Sequence, residues 1–210
     1  MKRIISIVFI AVMLTMISNL SLAEIQYDIS AFDDPLFDIQ IDEMDDTGTI
    51  ELADSKGSAF AGSGDNDDGG VLIGEIDIRI VEDFPPVMRL TFIYSGEKWC
   101  FVEKMIIKTD ASRYTFNVSH DTEMEGSRVY EMFTIILTDQ SIKMIQDILE
   151  AGSTLAIVKY RMVGSERDID GNLLVMNLEE IKKLYDAYVA SGALENDFTA
   201  VDSMNKVTIK

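Results

Sequence analysis

The 210-residue chain carries one cysteine, one histidine, one tryptophan and three prolines. A single thiol cannot close an internal disulfide, so no covalent framework holds this fold. One Cys with one His cannot supply the four protein ligands of a usual structural zinc site. Positive charge is scarce as well: 18 Lys and Arg stand against 37 Asp and Glu, a formal net charge of -19. That balance excludes a nucleic-acid binder, because no basic excess is available to displace counterions from phosphates. It favours cations or basic partners instead.

Long apolar runs are nearly missing too. The one present, Ile4 to Ile17, is broken only by Ser6 and Thr15. It is shorter than the roughly 20 residues that a spanning helix needs. Met1-Lys2-Arg3 precedes it, and Ser21-Leu22-Ala23 places small residues at the -3 and -1 positions of a cut after Ala23. This order of basic, apolar and small residues is that of a secretory signal peptide over residues 1–23. No cysteine lies near the cut, so a lipid anchor on cysteine is excluded there. The expectation is an extracytoplasmic protein, periplasmic or secreted, with no membrane span once the signal is removed.

The negative charge is uneven. Residues 24–70 hold 14 acids and one base, Lys56, with glycine and serine concentrated between Ala53 and Gly70. Like-charge repulsion and weak periodicity predict an acidic, largely disordered leader and linker over 24–70. Phe32, Leu36, Phe37, Ile39 and Ile41 interrupt the acids, as a segment docking on the body or a motif for a partner would.

From Val71 onward the patterns sharpen. Alternation over Ile73–Val81, then Met88–Tyr94, Trp99–Lys108, Arg113–Val118, Arg128–Leu137, Thr154–Val163 and Leu173–Met176, predicts strands. Phe84-Pro85-Pro86 is expected to end the first of them. Pairing Lys108 with Arg113 sets Ile107 opposite Tyr114 and Met105 opposite Phe116, which stacks apolar partners on one face and leaves Lys104, Thr115, Asn117 and Ser119 on the other. Apolar stripes predict two helices. One carries Ile142, Ile145, Ile148 and Leu149 behind a Thr138 or Asp139 cap. The other carries Ile181, Leu184, Tyr185 and Tyr188 behind Asn177, with Glu180 placed for a capping box and Gly192 as the stop. The fold class expected is α+β: one antiparallel β-rich domain over 71–192, a sandwich or sheet of six to seven strands with two helices in the C-terminal half. Residues 193–210 read as a flexible tail or an edge strand.

Candidate chemistry is sparse. Asp65-Asn66-Asp67-Asp68-Gly69 fails the calcium-loop register however Gly69 or Gly70 is placed. Glu166, Asp168 and Asp170 fit positions one, three and five with Gly171 at six, but Asn177 at twelve cannot give a bidentate carboxylate. The same residues suit an Asp-Gly turn over 168–172. No cofactor is expected beyond this one calcium candidate. Cys100 and His120 fall on opposite faces in the hairpin register, which disfavours a thiolate-imidazolium pair. Glu103, Glu131 and Arg161 each keep phase with apolar neighbours, and a charge on a core face must be paired or must line a cavity. They pose a choice between a paired-carboxylate hydrolytic site, a structural Glu131–Arg161 ion pair across strands, and simple exposure at a sheet edge. Trp99 and several tyrosines offer an aromatic surface for sugar or peptide. The function expected is an exported, non-enzymatic binding or envelope-associated module with an unknown protein or envelope partner. The alternatives are a carboxylate-dependent hydrolase and a calcium-binding module.

Overall fold

The computed structural model describes residues 25, 27–42, 44–53, 59–64, 70–82, 84–139, 141–151, 157–199 and 207–209. The expected signal peptide lies outside them, as do the Asp65–Gly69 segment, residues 54–58 of the expected linker and the start of the Thr154–Val163 strand.

Twelve strands among the described residues form one antiparallel sheet. They are β1 (Phe37–Asp42), β2 (Thr47–Leu52), β3 (Phe60–Gly64), β4 (Val71–Val81), β5 (Phe84–Gly96) and β6 (Val102–Lys108), then β7 (Arg113–Asn117), β8 (His120–Glu125), β9 (Arg128–Leu137), β10 (Ile157–Gly164), β11 (Asp168–Val175) and β12 (Val207–Ile209). Two helices follow late in the chain, α1 (Lys143–Glu150) and α2 (Leu178–Ala190). Among the described residues no helix is long and apolar enough to cross a membrane.

The sheet order is β12-β7-β6-β10-β11-β3-β4-β5-β9-β8. β2 pairs with Asp77 to Val81 of β4, beyond the end of β3, and β1 pairs with β2. β7 and β8 stand near opposite ends of this order, yet only Val118 and Ser119 separate them along the chain. A flat sheet cannot satisfy both facts. The sheet is curled into a half-barrel.

Alternation decides the two faces. In β4, Leu72, Ile76 and Ile78 point inward and are buried, while Ile73, Glu75 and Asp77 point out. β5 and β9 follow the same rule, as period-two side chains must. The inner faces and the helix stripes (Ile145 and Ile148 of α1, Ile181, Leu184 and Tyr188 of α2) belong to one hydrophobic core. The Tyr188 hydroxyl donates to the Pro86 carbonyl at 2.8 Å, tying α2 to β5. Phe198 packs on the outer face against Val87 and Ile136.

Five expectations are corrected. The sandwich of six to seven strands is a single curled sheet of twelve. The acidic leader contributes β1, β2, β3 and the buried Phe32, because its apolar residues alternate well enough to pair even though acids separate them. Pro85 and Pro86 lie at the start of β5 instead of ending β4, a strand position where the missing N–H is tolerated. Asp168 to Asn172 is not a turn: those residues belong to β11, and the β10–β11 reversal falls at Ser165 to Arg167. The Asn177 side chain makes no cap bond to α2. The Lys108–Arg113 hairpin register is as expected, and Gly192 adopts φ +78 after α2.

Candidate functional site

Residues 97–101 connect β5, in one wing of the sheet, to β6 in the other, so this short strap crosses between the wings. Its backbone polar groups must find partners away from a ladder. Glu131 provides partners for two of the strap's amides and for the first amide of β6. It is fully buried on the inner face of β9, where its Oε1 accepts from the amides of Cys100 at 2.5 Å and Phe101 at 3.0 Å. Oε2 accepts from Val102 N at 3.0 Å. The strap's carbonyls point the other way. Cys100 O and Phe101 O accept from Glu166 N at 3.3 Å and Ser165 N at 3.2 Å, both in the β10–β11 turn. Lys98 O accepts from Arg167 Nη2 at 2.8 Å. Val102 O meets His120 Nδ1 at 2.8 Å, and because a carbonyl only accepts, that ring nitrogen carries the hydrogen.

One buried carboxylate therefore replaces a stretch of ladder. Phe101 sits at φ +53, a left-handed backbone that a bulky residue adopts only when its surroundings hold it there. The approach to β10 is equally tight: a Cβ on Gly164 would stand 2.0 Å from Cys100 O, so only glycine fits at that position.

This clasp fixes an aromatic stack. The Trp99 and Phe101 rings lie 5.3 Å apart at 15°, and Phe101 lies 5.9 Å from His120. All three are partly exposed. Tyr94, Tyr114 and Tyr160, read from sequence as possible surface aromatics, are core residues.

The Cys100 thiol is buried and donates to Arg167 O at 3.1 Å. Burial, with the Glu131 charge adding to it, pushes this thiol up to about 12, so it stays protonated at neutral pH.

The other sequence candidates are dispersed. Glu131 is on the core face as expected, but its partners are backbone amides, not Arg161. Both its oxygens are occupied and shut from solvent, so it cannot meet a substrate as one of a catalytic pair. Glu103 faces out because β6 bulges there: Lys104 pairs with Val163 and Val102 with Gly164, which leaves Glu103 without an opposite number on β10. Arg161 also faces out, where its Nε and Nη2 take Oδ1 and Oδ2 of Asp170 at 2.5 and 2.6 Å. That guanidinium holds the Asp170 carboxyl below the usual range. Glu166 is at the β10–β11 turn and Asp168 on β11, and no group of three or more His, Cys, Asp or Glu among the described residues is placed to hold a metal ion.

Sequence reasoning missed the strap and the β-bulge. The only available signal was a glutamate in phase with Val129, Phe133 and Ile135. No family model, curated protein or solved structure matches this chain.

Proposed function

We propose that the mature chain is an exported, non-catalytic binding module of the cell envelope. It presents the Trp99–Phe101–His120 stack to a ligand with a flat apolar face, either a sugar ring or an aromatic side chain of a partner. The observation that carries this reading is a strained aromatic stack held in place by a buried carboxylate. Strain at Phe101 is costly to keep, and a stack immobilised before binding loses little freedom when a ring settles on it. Such ring contacts are worth about 0.5–1.5 kcal/mol each beyond area burial. Export rests on residues 1–23, whose basic, apolar and small-residue order supports removal after Ala23.

Trp99 is the one tryptophan in the chain, so its fluorescence reports on this stack alone. Titrating the mature protein with soluble cell-wall glycan fragments, and separately with aromatic-rich peptides, should give a saturable change with one of the two. His120→Ala should weaken it several-fold. An emission spectrum unmoved by both titrants would refute the reading. Recovery of the protein from cytosol with Met1 still attached would refute the placement.

A further inference from the structure

At the far end of β6, about 20 Å from the strap by strand rise, the outer face carries a different arrangement. Arg113 on β7 pairs directly with Lys108 on β6, and Lys108 pairs directly with Lys159 on β10. Residues directly opposite across strands share a face, so three cations stand in a row across three adjacent strands. All three are exposed, and none makes an ion pair among the described residues. Arg161, two residues along β10, extends the cluster and is held in place by Asp170. These side chains, with Ile106 and Asn172, line a groove of about 420 Å³, within the range of small-ligand sites.

The arrangement runs against the rest of the molecule. Like charges directly opposite destabilise a sheet, and acids outnumber bases two to one in this chain, so counter-charges were plentiful. Asp170 neutralises Arg161 alone. We infer that this groove binds a small anion bearing two or more phosphate or sulfate groups. The row of ammonium and guanidinium groups takes up its charge, and the Asn172 amide offers a neutral hydrogen bond beside it. A small ligand is favoured over an anionic bilayer, because the net charge of -19 repels an extended negative surface while a local cluster still attracts one small anion. This site is independent of the aromatic stack.

The test is calorimetry of the full mature chain with inorganic phosphate, pyrophosphate and tripolyphosphate, run alongside sedimentation with phosphatidylglycerol vesicles. Affinity should rise along the three free phosphates and fall with added salt. Lys108→Gln combined with Lys159→Gln should weaken tripolyphosphate binding at least tenfold. The same double variant should melt no lower than wild type without ligand, since it removes repulsion and no contact. That melting temperature separates a lost site from a lost fold. Absence of tripolyphosphate binding, binding that the double variant leaves unchanged, or binding to vesicles alone would each overturn the inference.

Discussion

Two groups of charges in this protein are handled in opposite ways. Inside, Glu131 and Asp147 are buried and every oxygen is engaged. Glu131 takes three amides, while Asp147 accepts from Lys143 Nζ at 2.8 Å, Tyr114 Oη at 2.7 Å and Thr109 Oγ1 at 3.1 Å. Outside, Arg113, Lys108 and Lys159 line up with no ion-pair partner among the described residues. The interior follows the rule that a buried charge survives only when paired or fully hydrogen-bonded. The exterior breaks the weaker rule that like charges avoid one another across strands. A rule kept where violation would be most costly, and broken where it is affordable, marks the inner pair as architecture and the outer row as available for binding.

The sharpest way to break this contrast is at the strap. Glu131→Ala leaves three backbone amides without their acceptor and should cost about 3–5 kcal/mol, the loss typical of removing one member of a buried charge network. For a chain of this size that is a drop of about 6–20 °C in melting temperature. Gly164→Ala should act on the same contact from the other side, displacing Cys100 and quenching or shifting the Trp99 emission. If both variants melt like wild type, the clasp is not what holds the strap.

Next in size is the Asp147 cluster, which packs α1 against the β6–β7 hairpin. Tyr114→Phe should lose about 1 kcal/mol in urea unfolding. Its pH profile adds a second reading. Burial pushes Asp147 up, but the bonds from Lys143, Tyr114 and Thr109 outweigh it and hold the carboxyl below its usual value. A depressed folded value means that its contribution is complete above about pH 4 and is lost as pH falls through the folded value. Tyr114 runs the other way: burial, then its bond to Asp147, pushes the phenol up to about 12. Its contribution is complete below about pH 10 and is lost as pH rises towards 12. Tyr114→Phe should flatten the alkaline limb, and Asp147→Asn the acid one.

A smaller effect is kinetic. Cys100 should resist a thiol-reactive reagent at pH 8 in the folded protein and react fully in urea. Rapid labelling under native conditions would mean that the strap opens. Smallest of all is the exposed Arg161–Asp170 pair, with side chains 47% and 49% accessible, which solvent screens on both sides. Asp170→Asn should leave the melting temperature unchanged within error, while releasing Arg161 from its counter-charge and so adding an unneutralised cation to the groove. Excess calcium should not raise the melting temperature, because Arg161 already occupies both Asp170 oxygens.

Local sequence patterns were legible wherever one face is apolar and the other wet. The alternation in β4 and β9, the hairpin register around Lys108 and Arg113, and the stripes of α1 and α2 all follow from period two or period 3.6. β8 was not legible. His-Asp-Thr-Glu-Met-Glu has no apolar face, and it is a strand only because β9 offers it a ladder. β1 to β3 were hidden by composition, since acids and glycines read as a disordered leader until a neighbouring edge is there to pair with. Glu103 was misassigned because strict alternation does not anticipate a bulge.

The sequence by itself determined which segments alternate, where the two late helices run, and that charge would be overwhelmingly negative. It also put Glu131 in phase with apolar neighbours, as it did Glu103 and Arg161, of which only Glu131 is buried. Only the tertiary structure decided what that acid does, because its partners are amides some thirty residues away, brought near when the sheet curls. The row of Arg113, Lys108 and Lys159 is likewise created by pairing three strands, the third from far along the chain. Cross-strand neighbours are a property of register and topology, and single-strand periodicity carries no information about either.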